Sequence, residues 1–115
     1  SNWINFFTDD DKFLQVGTWT LDNQRSTPPH KHNFHERKSN LTQEAVFCIE
    51  GSFDYTLLDE KGTQLGIYKI NTGDIIISLI GGHIYTGIDN TTRVLEFKNG
   101  PFPGVKLDKT LLNIN

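Results

Sequence analysis

The feature that most narrows the possible folds is a missing period: no long stretch of the chain repeats apolar residues every 3.6 positions. Short segments rich in Ile, Val, Phe, Tyr and Thr recur instead, each ending at turn residues. Strands are expected at 13–21, 44–59 with a bend at Gly51-Ser52, 64–70, 75–80, 83–88 and 93–98. Asp59-Glu60-Lys61-Gly62 is expected to close a hairpin between 53–58 and 64–70, Asn71-Thr72-Gly73-Asp74 to form the next turn, and Gly81-Gly82 to break the chain before His83. Short strands separated by turns at this spacing imply an all-β sandwich or barrel of antiparallel pairs. The residues from Asn99 to Gly104 read as a rigid exit loop, followed by a tail to which no element is assigned.

The length of 115 residues fits one domain, 1–115. With 36% hydrophobic residues spread along the chain, a disordered class is a poor description. Eleven basic and fourteen acidic residues give a formal charge of -3, and no basic run forms the footprint that a nucleic-acid partner requires. The longest apolar stretch, 75–80, is too short to cross a bilayer, so no membrane partner is expected. Residues 1–11 carry Trp3, Phe6, Phe7 and three aspartates, without the basic start or small-residue cleavage site of a secretory leader. Cys48 is the one cysteine, which excludes an internal disulfide and points to a reducing, cytoplasmic setting. In that setting the tripeptides at Asn40 and Asn90 are chance matches to a glycosylation acceptor.

The candidate chemistry begins at His30 and His32. On an extended chain, residues two apart face the same side about 6.6 Å from each other, so both rings can approach one metal ion. Glu44 and His83 are the other two candidates, and the alternatives His35 and Gln43 stay open. A one-residue shift of the strand would present Gln43, Phe47 and Ile49 in place of Glu44, Val46 and Cys48, and both sets are apolar enough to face inward. Tyr85, two residues after His83, shares its strand face and is a candidate proton donor. Arg25 is a candidate partner for an anionic ligand.

The segments His30-Lys31-His32, Glu44-Ala45-Val46-Phe47-Cys48-Ile49-Glu50-Gly51, Gly73-Asp74 and Gly81-Gly82-His83 resemble the two motifs of the cupin superfamily. Thr42-Gln43-Glu44 and the run from Glu96 to Phe102 are similar to small single-domain bacterial cupins associated with surface-polysaccharide loci. The resemblance implies a double-stranded β-helix, or cupin jelly-roll barrel, with Phe47, Phe53 and Phe97 in its wall. It also implies a divalent transition metal (Fe, Zn, Ni, Mn or Cu) held by His30, His32, Glu44 and His83, and a small oxygen-rich substrate such as a sugar derivative. A metal-independent sugar-nucleotide epimerase or ketoisomerase and a non-catalytic ligand-binding module are the alternatives, and a homodimer is expected. The chain departs from the family pattern at Gln24, where a glycine is usual, and in the eleven residues between His32 and Glu44, where three or four are usual.

Overall fold

The computed structural model describes residues 3–114; Ser1, Asn2 and Asn115 lie outside the described residues. The chain forms two compact units, Ser1–Asn40 and Leu41–Asn115. Among the described residues there are eight strands, all antiparallel, and one short helix.

The first unit contains one two-stranded sheet, β1 (Ile4–Phe6) with β2 (Gly17–Trp19). Only part of the strand expected at 13–21 therefore forms. The buried Thr8 hydroxyl accepts the Val16 N–H at 3.0 Å, and the Gln15 side chain donates to the carbonyls of Asp9 and Lys12. These local bonds satisfy the backbone of 9–16 as a loop. Trp3 and Trp19 meet edge to face with centroids 5.3 Å apart, and Arg25 lies over the Trp3 ring while pairing with Asp22.

The second unit is a sandwich of two three-stranded sheets. One has the order β6 (Ile75–Ser78), β3 (Glu44–Glu50), β8 (Arg93–Lys98); the other has the order β5 (Gln64–Asn71), β4 (Ser52–Leu58), β7 (Gly82–Gly87). The expected hairpin at 59–62 joins β4 to β5, with Tyr55 opposite Tyr68. Asp59 holds that turn by accepting the N–H groups of Lys61 and Thr63, each at 2.9 Å. The β5–β6 turn closes through Asp74, which accepts the Asn71 N–H at 2.9 Å.

The chain changes sheets at Gly51, whose φ of +77° lies in the left-handed region. A Cβ there would collide with the Thr91 carbonyl oxygen, so this crossing requires glycine. Val46 and Cys48 of β3 pack against Phe53 and Tyr55 of β4 and Ile70 of β5, placing the core between the sheets. Their nearly complete burial supplies the main stabilisation of the unit, on the order of 1.5 to 3 kcal/mol for each large side chain.

The inward alternation of β3 is Glu44, Val46, Cys48, at 7%, 2% and 0% exposure; on the other alternation Phe47 and Ile49 are exposed at 36% and 40%, while Ala45 and the preceding Gln43 are buried. Contacts across the sandwich resolve what the sequence pattern left open: Glu44 meets His83 and Tyr85 of the opposite sheet, and within its own sheet sits opposite Ser78 and Lys98. Phe47 and Phe97 consequently stand on the exposed outer face, and of the three phenylalanines expected in the wall Phe53 is the buried one. The C-terminal segment adds a single helical turn, α1 (Val105–Asp108). No helix among the described residues is long and apolar enough to cross a membrane.

Candidate functional site

The polar centre of the second unit is Glu44, and its partners come from the opposite sheet. Glu44 starts β3, while His83 and Tyr85 stand two apart on β7 and so share one face. His83 Nε2 lies 2.9 Å from Glu44 Oε1, and the Tyr85 hydroxyl donates to the same oxygen at 2.6 Å. Only 10% of the Glu44 side chain is exposed. A carboxylate that deep survives as an anion only when donors replace its lost water.

The electrostatics follow from this geometry. The His83 hydrogen bond, helped by Tyr85 and by the Glu96 carboxyl and opposed by burial, holds the Glu44 carboxyl at about 2 in place of the ordinary 4.5. Burial pushes the Tyr85 phenol well above its usual value, and the bond to Glu44 pushes it further, so it remains a protonated donor. Burial and the neighbouring Glu44 also raise Glu96, so the two carboxyls share the site with unequal proton affinity.

An aromatic and hydroxyl layer fixes these groups. Tyr55, opposite Tyr85 in the β4–β7 ladder, stacks on His83 at 5.7 Å and 26°. Its hydroxyl is bound to Ser78 Oγ at 2.7 Å, a second link between the sheets. The His83 and Tyr85 rings are 4.8 Å apart. Burial raises the Tyr55 phenol as well, which keeps that link protonated.

Beside this cluster a cavity of about 310 Å³ opens between the edge strands β7 and β8. Val46 and Phe53 form its floor, Tyr85 and Glu96 its polar end, and Gly87, Thr92 and Val94 its rim. Glu96 enters because it pairs with Val46 and therefore shares the inward face of the sheet.

The sequence-based candidates fall into two pairs. Glu44 and His83 are in direct contact within the second unit. His30 and His32 belong to the first unit, where their rings meet at 5.4 Å and 78°, so the expected closeness of the two imidazoles is present. They stand on an irregular exposed segment, and not on a strand, with His30 Nδ1 at 2.8 Å from the Pro28 carbonyl. Pro28 and Pro29 have no N–H to offer a ladder, which accounts for the absence of a strand there.

His35 lies on the same irregular stretch, with its carbonyl accepting from Arg37. Gln43 is structural: its N–H donates to Asn99 Oδ1 and its amide to the Leu79 carbonyl. Arg25 is engaged by Asp22 and the Trp3 ring. Among the described residues no group of three His, Cys, Asp or Glu side chains stands in metal-holding geometry. Glu96, Ser78 and Tyr55 carry no role in the sequence pattern; the signal available for Glu96 is a lone carboxylate in the apolar run from Val94 to Phe97.

Chemically, the cluster combines an anion, an imidazole, a neutral phenol donor and a second carboxyl, of which Tyr85 and Glu96 line a cavity of small-molecule size. No family model, curated protein or solved structure matches the chain.

Proposed function

We propose that this chain is a metal-binding cupin-type β-barrel that binds or acts on a small oxygen-rich molecule, such as a sugar derivative, in the cleft beside Glu44, His83 and Tyr85. The observation that carries the reading is the buried Glu44 carboxylate gripped across the sandwich by His83 and by Tyr85, the latter also lining a cavity. The alternation of the chain between two antiparallel sheets, β3 to β4, β5 to β6, β6 to β7 and β7 to β8, supports the double-stranded β-helix part of the proposal.

We propose Glu44 and His83 as donors to one divalent transition metal; they are hydrogen-bonded to each other at 2.9 Å, and that bond would open to admit an ion. One carboxylate with imidazole suits Fe, Zn, Ni, Mn or Cu; His30 and His32, which the cupin resemblance implies as further ligands, belong to the other compact unit. When bound, such an ion polarises a substrate oxygen or acidifies a coordinated water. The protein's own part is to fix Glu44 as an anion, to hold His83 between Glu44 and the Tyr55 ring, and to keep a protonated phenol at Tyr85.

A metal-free reading, in which His83 and Tyr85 exchange protons directly with the ligand, is favoured by the short Tyr85 hydrogen bond. Elemental analysis of untagged protein separates the two. The metal reading predicts about one equivalent in the wild type and under a tenth of that in Glu44→Gln and His83→Ala; a wild type that takes up none on incubation contradicts it.

The proposal places the chain in the cytoplasm, consistent with the buried free thiol of Cys48. It also includes a homodimer, supported by the exposed apolar outer face around Phe47, Ile75, Leu95 and Phe97. Sedimentation of the full chain at twice the monomer mass is the expected result.

A further inference from the structure

We infer that the cleft selects an uncharged, polyhydroxylated ligand of monosaccharide size, and that Glu96 is the residue that sets this choice. The inference rests on the proposed role of the cleft as a small-molecule site and narrows its ligand class.

Size is the first argument. A cavity of about 310 Å³ stands at the small end of the roughly 300–1,000 Å³ typical of ligand sites. It has room for a hexose; a nucleoside diphosphate attached to that sugar would lie outside in solvent.

Hydrogen-bond supply is the second. The two side-chain hydroxyls that line the cleft have already committed their protons. The Tyr85 hydroxyl donates to Glu44, and the Thr92 hydroxyl donates to the Ser52 carbonyl at 2.8 Å. Among the side chains that line the cleft, the Thr92 oxygen and the carboxyl of Glu96 are the groups left to accept from a ligand. A sugar hydroxyl brings a proton to such acceptors, whereas a phosphate or carboxylate brings only more lone pairs. Phe53, Val46 and Val94 offer apolar surface to the C–H face of a sugar ring.

Charge is the third. No lysine, arginine or histidine lines the cleft. Lys98, which shares the inward face of β8 with Glu96, places its ammonium over the Phe102 ring at 4.9 Å. An anionic ligand would meet the carboxyl of Glu96 with no cation in the lining to pair with it; the charges of Lys98 and Lys109 reach Glu96 without lining the cleft.

The test is a backbone amide NMR titration of the full chain, as purified, with D-glucose, D-galactose, L-rhamnose and N-acetyl-D-glucosamine, each hexose also as its 1-phosphate where that exists. Expected is movement of the Gly87, Thr92 and Val94 amides with at least one neutral sugar, and at least tenfold weaker binding of the matching 1-phosphate. Glu96→Gln should reduce that discrimination at least threefold, and Glu96→Ala should weaken the neutral sugar at least tenfold, both with the wild-type fold confirmed by spectral dispersion. A 1-phosphate that binds as tightly as its parent sugar overturns the inference while leaving the cleft a small-molecule site. Unchanged discrimination in Glu96→Gln overturns the role of Glu96. If no sugar or sugar phosphate moves the cleft amides, the inference fails together with the oxygen-rich-ligand reading, and retained metal uptake would then leave the metal centre standing alone.

Discussion

Tyr85 and Glu44 belong to different sheets, and the phenol of one donates a 2.6 Å hydrogen bond to the buried carboxylate of the other. The bond ties the edge strand β7 to the central strand β3 across the sandwich. It also gives a deeply placed anion one of the donors it needs to stay ionised.

Removing that donor should be costly out of proportion to the single atom lost. Tyr85→Phe keeps the ring contacts with Phe53 and Tyr55 but leaves Glu44 short of a charge-assisted bond. A loss of about 1.5 to 3 kcal/mol is expected in urea denaturation. A change below half a kcal/mol would show that solvent reaches Glu44 and replaces the phenol.

Acid stability should report Glu44. Its folded value of about 2 lies below the ordinary 4.5, so the folded state holds this proton less tightly than the unfolded one. The resulting contribution, on the order of 3 kcal/mol, is present above about pH 5 and is lost as pH falls towards 2. The raised Glu96 works in the opposite sense, its contribution being present at low pH and lost as pH rises. Glu44→Gln should therefore flatten the fall in stability between pH 5 and 2, measured by denaturation at a series of pH values. Parallel curves for wild type and variant would remove Glu44 from the account of acid stability.

The crossing between β3 and β4 gives a purely steric prediction. Gly51→Ala forces a side chain onto a backbone with φ +77° and into the Thr91 carbonyl oxygen, so a destabilisation of about 2 kcal/mol or more is expected. Gly73→Ala is the control, because its φ of +91° is similar but nothing lies within 4 Å of the added carbon. Equal losses in the two variants would show that backbone strain alone, without the collision, sets the cost.

Much of the second unit was legible because its turns have strong local chemistry. Asp59 through Gly62 and Asn71 through Asp74 close with the side-chain bonds their sequences imply. The strand facing at Glu44 was not legible, since both alternations of β3 are apolar; it is settled by the contacts of Glu44 with His83 and Tyr85 of the opposite sheet, which are distant in sequence. Three-residue strands such as β1 and β2 carry too few positions for a period to appear. The spacing of His30 and His32 anticipated neighbouring rings, but the two prolines before them deprive the segment of ladder donors. Glu96 escaped notice because a single carboxylate in a strand reads as a solvent-facing residue, and only its pairing with Val46 turns it inward.

The central claim is that Glu44 is the anion around which the site is built, and the ¹³Cδ chemical shift of its carboxyl against pH tests this most directly. The account predicts titration near pH 2 in the wild type, with the midpoint moving upward in both Tyr85→Phe and His83→Ala. A wild-type midpoint at the ordinary 4.5, or one unmoved by either substitution, would contradict it.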